Sequence, residues 1–489
     1  MKYRRFFVAL SLAIALAACG GGGGGSVNNN TPANSPPVAS AAAPQTATIN
    51  GVVVLDGSAS SDVNGDALSY SWTITGKPAG SSAALANATL AKATLIVDVA
   101  GSYTATLIVS DGKPNGSSTS TVSFMAVPAN TVGSGQFLDA VHLKTISAAE
   151  VSAALALDGE AAFLATPKYA VQAYRLTYLT VDGQGQQIVA SGLVAIPQKQ
   201  ANALSPVLSY QHATIKRQAD APSSLAKLGD PPVVLASLGY IVIAADYVGY
   251  GVSAAAPHPY LMSAPSAAAV VDLMTAAKYW LQVQQVPDNR QLFLTGYSEG
   301  GYVTMAAHRA LQAGASMHRD ELVRVVAGAG PYNVNATMDQ LLAIIRETNP
   351  ALGILLDPGF LRFLGDDDRR HARDLLMTLS LGLDAEVTFI PTVIDNYLAD
   401  NRTAIESSSD VFDWAPQVPV SLFHGRDDRT VPYLSATTTL QAMRARGAGD
   451  LVTLTDCVPK PGDPAGHSQC VLPYWRFVLD QFGEAAQDL

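Results

Sequence analysis

From residue 129 to residue 489 the hydrophobic positions fall into two alternating kinds. Short unbroken apolar runs suit strands buried on both faces. Longer stretches with apolar residues three and four apart suit helices packed along one side. Residues 174–181 and 187–196, joined at Asp182-Gly183-Gln184-Gly185, predict an opening antiparallel hairpin. Residues 206–210, 239–245, 291–295, 322–328 and 418–423 predict buried strands. Residues 233–238, 266–283, 301–311, 434–446 and 471–482 predict helices. Such alternation argues for a mostly parallel sheet covered by helices on both faces. Residues 332–400 interrupt the rhythm with helix-like runs at 338–346 and 370–381. That insertion lies where a cap over a site belongs, and its apolar faces either line a pocket or only cover core.

Upstream the period changes to two. Runs at 52–55, 68–74, 94–97, 103–109 and 121–124 alternate like strands and are separated by Gly, Asn, Asp and Pro. That spacing predicts a β-sandwich over residues 36–128, with Trp72 packed in its core. Residues 20–43 are low complexity, rich in Gly, Ser, Asn, Pro and Ala, and read as a tether. Lys2, Arg4 and Arg5 precede an apolar run at 6–18 that is too short to span a bilayer, so residues 1–18 read as a targeting signal. Leu16-Ala17-Ala18-Cys19 resembles the lipobox of bacterial lipoproteins. The resemblance implies cleavage before Cys19, lipidation of Cys19, and a place in the bacterial cell envelope, held by the anchor or secreted. An ordinary signal peptide is the alternative. The expected order is signal 1–18, linker 19–35, sandwich 36–128 and large domain 129–489, with the cap at 332–400.

Composition narrows the function. Hydrophobic residues make up 48% of the chain, enough for a large core. Only 14% are charged, the net charge is −10, and no basic stripe occurs, which argues against a nucleic-acid partner. Apart from Cys19 there are two cysteines, Cys457 and Cys470. They bracket a short loop that a disulfide would close, worth about 3 kcal/mol in the chain-entropy account; two buried thiols are the alternative.

The chemistry centres on Gly296-Tyr297-Ser298-Glu299-Gly300, a Gly-x-Ser-x-Gly sequence between a predicted strand and a predicted helix. That setting forces Ser298 into a strained turn that projects its hydroxyl, the candidate nucleophile. A serine hydroxyl needs a base, and the base needs an orienting carboxylate, in the chain order Ser, Asp, His for an α/β-hydrolase layout. After the strand at 418–423 comes His424-Gly425-Arg426-Asp427-Asp428-Arg429-Thr430-Val431-Pro432. This resembles the His-Gly-x-x-Asp-x-x-Val-Pro stretch of α/β-hydrolases and puts Asp428 on the acid position, with Asp427 on a variable one. Beyond it the sole histidine is His467, in a loop before a helix. The other histidines at 142, 258, 308, 318 and 371 carry no such constraint and are expected mostly at the surface. The backbone amides of Glu299 and of His212 are the expected oxyanion donors, with Gln211 the alternative to His212. Asp246-Tyr247-Val248-Gly249-Tyr250-Gly251-Val252-Ser253 resembles a structural turn of the same superfamily.

Two further resemblances extend this. Leu55 to Asp62, Asp66, Ser71-Trp72, Gly101-Ser102-Tyr103 and Val109-Ser110-Asp111-Gly112 resemble a PKD repeat. That implies a spacer or surface binder, with the Asp cluster capping turns or holding calcium. Residues 170–485 resemble the secretory lipases of the α/β-hydrolases, on Tyr210-Gln211-His212, Gly296 to Gly301, Asp428 before Val431-Pro432, and Gly466-His467 beside a cysteine. The resemblance implies an α/β-hydrolase sheet with a helical cap, hydrolysis of carboxylic esters, an ester substrate of lipid or polymer, no metal and no cofactor. Glu299 departs from the Gln or small residue commoner at its place. Amide-cleaving relatives share the triad, and a non-catalytic surface adhesion protein is the other alternative.

Overall fold

The computed structural model describes residues 33–157, 166–314, 316, 318–381 and 385–489. The signal at 1–18 and the lipidation site Cys19 lie outside the described residues.

Seven strands build the N-terminal domain: β1 Thr46–Thr48, β2 Val52–Asp56, β3 Ser69–Gly76, β4 Leu85–Ala86, β5 Lys92–Ile96, β6 Gly101–Ser110 and β7 Ser117–Val127. They form two sheets, β1-β7-β6-β3 and β2-β5-β4. Inward positions alternate with exposed ones, so Leu55, Trp72, Leu95, Tyr103, Leu107 and Phe124 meet in one core. The tether reading fails at its end. Val38 bridges Ser61 and Ala42 bridges Asp56, so the chain has already joined the sandwich there. Small residues, mostly alanine, hid this, because backbone bridges join the segment and its short side chains give no strand-like pattern.

The second domain is a nine-stranded sheet. Its strands are β8 Phe137–Ile146, β9 Val171–Val181, β10 Gln187–Pro197, β11 Val207–Gln211, β12 Ile241–Ala245, β13 Leu292–Tyr297, β14 Leu322–Gly328, β15 Val420–His424 and β16 Val452–Asp456. Their spatial order is β16-β15-β14-β13-β11-β12-β10-β9-β8. The neighbours from β12 to β16 run parallel, and β8, β9 and β10 are antiparallel. The predicted hairpin is β9–β10, but it does not open the sheet: β8 precedes it and forms one edge. The central strands β12 and β13 are buried throughout. Helices Ser263–Val283 and Glu299–Ala313 pack on one face and Val471–Gly483 on the other.

The insertion between β14 and β15 is helical, as its sequence predicts. It also runs further than residue 400: helices Val334–Thr348, Asp366–Leu381 and Thr392–Leu398 are followed by Arg402–Ser408. Its base is pinned where the Val334 N–H donates to Asp410 Oδ1 and the Tyr332 N–H to Ser435 Oγ. No helix among the described residues is long and apolar enough to cross a membrane.

Candidate active site

β13 ends at Tyr297 and helix Glu299–Ala313 begins two positions on, which leaves Ser298 as the whole turn. Ser298 accordingly sits at φ 60°, ψ −123°, a backbone region that a β-carbon disfavours. Gly296 and Gly300 make the turn possible. A β-carbon at Gly296 would stand 2.6 Å from the Gln211 carbonyl oxygen, and one at Gly300 2.9 Å from that of His212. The Ser298 N–H is tied to the Gly328 carbonyl at 2.9 Å.

The structure brings Ser298, His467 and Asp428 together. His467 Nε2 lies 2.9 Å from Ser298 Oγ, and its Nδ1 lies 2.6 Å from Asp428 Oδ2. The ionised carboxylate only accepts, so Nδ1 carries the hydrogen and Nε2 is free to take one from the hydroxyl. Asp428 Oδ1 accepts from the Thr430 and Val431 N–H groups, each at 2.9 Å. His424 Nε2, fully buried, lies 3.3 Å from Asp428 Oδ2. Burial alone would raise the Asp428 pKa. The hydrogen bonds from His424 and His467 outweigh it and hold the carboxyl well below its ordinary range.

Asp427 has another task. Its Oδ2 accepts from the Ala465 N–H at 2.8 Å and its own N–H donates to the Ala465 carbonyl, which latches the histidine loop to the acid loop. Three more ties hold that loop. The Tyr297 hydroxyl donates to the His467 carbonyl at 2.8 Å. Cys457 and Cys470 are disulfide-bonded, with Cα atoms 5.9 Å apart. Tyr474, on the helix that Cys470 precedes, puts its hydroxyl 3.1 Å from Gly296 N and 3.0 Å from the Val326 carbonyl, fixing the loop's helix to β13 and β14. Sequence reasoning missed Asp427 and Tyr474 in these roles, because neither belongs to a motif with a partner at fixed spacing.

Gln211 pairs with Gly296 across the sheet, so the Gln211-His212 segment lies against the Ser298 turn. The Gln211 side-chain amide is engaged by Ser209 and Thr304. His212 is buried, its ring stacked on Tyr247 at 4.0 Å. Asp246 is structural: buried, it accepts from Ser191 Oγ at 2.6 Å and from the Ser223 N–H at 2.8 Å. Three histidines expected mostly at the surface are instead buried: His258, His308 and His318 are 2%, 1% and 4% exposed. Each lies on or beside an element whose inward face the isolated letter does not reveal. His258 contacts Glu299, next to Ser298. A cavity of about 360 Å³ lies in the cap, between Met377 and the stretch of Val387 and Phe389, with Arg373 and Asp374 at its wall.

Comparisons with known proteins fit this architecture. Residues 34–126 match the PKD domain family, and residues 230–341 match the prolyl oligopeptidase family. A search of curated proteins found no match. Among solved structures, the rice cell wall degrading esterase LipA from Xanthomonas oryzae is 26% identical with a TM-score of 0.56, over 73% of this chain and 100% of that one. A Legionella pneumophila structure is 23% identical with a TM-score of 0.56, over 71% and 97% of the two chains. Candida antarctica lipase A in its closed state is 18% identical with a TM-score of 0.46, over 73% and 84%. The chain carries a PKD domain, followed by an α/β-hydrolase fold similar to that of the Xanthomonas oryzae esterase.

Proposed function

We propose that the protein is a serine carboxylic ester hydrolase, an esterase or lipase that works through an acyl-enzyme. The observation that carries this is the hydrogen-bonded relay from Ser298 through His467 to Asp428. Ser298 Oγ attacks the ester carbonyl while His467 Nε2 takes its proton, then returns that proton to the leaving alcohol. Water, activated by the same nitrogen, frees the acid and restores Ser298. Asp428 keeps His467 in the right tautomer and offsets the imidazolium charge. The backbone amides of Glu299 and His212, with Gln211 the alternative to His212, hold the oxyanion. Glu299 opens a helix, so its N–H belongs to the donors a helix leaves free at its start.

The substrate class is an acyl ester, lipid or polymer-borne; the ester-cleaving relative in the comparisons supports it. The lipobox-like Cys19 and the preceding signal support anchoring at the bacterial cell envelope by lipid alone. Ser298→Ala should leave the fold intact and abolish hydrolysis of p-nitrophenyl esters and labelling by a fluorophosphonate probe; full retained activity would refute the assignment. A second reading, amide cleavage, is favoured by the match of residues 230–341 to the prolyl oligopeptidase family. Matched ester and amide substrates separate the two: faster turnover of the amide would replace the esterase reading.

A further inference from the structure

The Glu299 side chain turns away from the water that surrounds most carboxylates. It is 2% exposed, and its Oε1 lies 2.7 Å from Nε2 of His258, itself 2% exposed. Its other oxygen, Oε2, is buried with no hydrogen-bond partner among the described residues. His258 is fixed from several sides. Its Nδ1 lies 2.8 Å from the Val248 carbonyl. Its backbone N–H donates to the Thr388 carbonyl at 2.7 Å, and its carbonyl accepts from the Ile390 N–H at 2.8 Å, so the cap grips it. The rings of Tyr250 and Phe389 stand across it at 5.1 and 5.4 Å.

The protons on this pair can be counted. A carbonyl oxygen only accepts, so Nδ1 carries a hydrogen. The contact between Nε2 and Oε1 needs one more, on the nitrogen or on the oxygen. Wherever it sits, the pair carries no net charge. The neighbouring His212 makes no hydrogen bond to Glu299: its two ring nitrogens face the carbonyls of Ala213 and Asp246.

We infer that His258 is a positioning residue for the oxyanion amide, holding the Glu299 side chain as half of a net-neutral buried pair. This rests on the reading of Glu299 as an oxyanion donor. Without His258 a bare carboxylate is left buried a few covalent bonds from the amide where negative charge develops. Two like charges roughly 6 Å apart at an effective dielectric of about 20 slow the step roughly 100-fold.

The test is a charge-compensation cycle on the full chain, with kcat and KM measured on a p-nitrophenyl ester. His258→Asn should lower kcat roughly 100-fold and leave KM within about threefold. Adding Glu299→Gln to that variant should recover at least tenfold of the lost kcat, because the amide removes the uncompensated charge. A merely structural histidine predicts the reverse, since a second core change then compounds the first. If His258→Asn accumulates as folded protein only together with Glu299→Gln, the double variant is compared with Glu299→Gln alone: a kcat within about tenfold upholds the inference, and a lower one overturns it. A double variant as slow as His258→Asn, or Glu299→Gln alone slower than His258→Asn alone, overturns it. Ser298→Ala reports separately on the nucleophile: an inactive Ser298→Ala beside an unrescued double variant sinks this inference alone.

Discussion

At the scale of the residue, Asp428, the proposed catalytic acid, is held by more than charge. Two backbone N–H groups fix one oxygen, and two imidazoles face the other. Asp428→Asn keeps the shape but puts an amide where the His467 Nδ1–H must be accepted. The ring then flips its tautomer, and Nε2 no longer receives the Ser298 proton. We expect kcat to fall about 10³–10⁴-fold with KM little changed, read from ester hydrolysis. Ser298, Asp428 and His467 were legible because each stands in a motif or in a forced chain order. His258 was not. Its partner Glu299 lies 41 positions away in sequence, and no local pattern marks a histidine whose place is set by a carbonyl and a distant carboxylate.

At the scale of the element, legibility followed burial. β12 and β13 are centrally placed and read as apolar runs, and β14 as one interrupted by Arg324, so their positions were plain. β8 and β16 lie at the two edges of the sheet, and their burial is partial. Half-exposed edge strands carry polar residues that blur the period. The histidine loop is an element made by its ties, and the disulfide is one of them. It closes a loop with a sequence separation of 13, worth about 3 kcal/mol in the chain-entropy account. Replacing Cys457 and Cys470 by Ser should lower the urea midpoint by an amount of that order. It should also lower kcat more than it raises KM, because the base loses a constraint but the substrate pocket does not. Equal midpoints for the Ser variant and the wild type would show that the Asp427 latch and Tyr474 hold the loop unaided.

At the scale of the whole molecule, the sandwich core shares no residue with the two clusters that pack on the hydrolase sheet. The sequence displayed that division as a change of period. It did not display the buried titratable groups, whose pKa values depend on packing between distant elements. His308 stands edge-on to Trp414 at 4.8 Å, and burial pulls it to about 3. His318 is pulled to about 4 by burial and then by Lys278. Both lie below the ordinary histidine value of about 6.5, so the unfolded chain binds protons that the folded one refuses. Their contribution is present above pH ~6.5 and is lost as pH falls through the folded values. Asp410 and Asp272 run the other way. Burial raises each to about 6, so their contribution is present below pH ~3.9 and is lost as pH rises through about 6. Between pH 6 and pH 4 the two pairs oppose each other, and stability is expected to stay roughly level there. His308→Gln removes one histidine from that balance. Relative to wild type it should gain about 1.4 kcal/mol per pH unit on acidification through this window, whereas Asp410→Asn should lose a similar amount. Urea midpoints at pH 6, 5 and 4 check the signs; curves for the two variants that run parallel to wild type would mean that neither group titrates with folding.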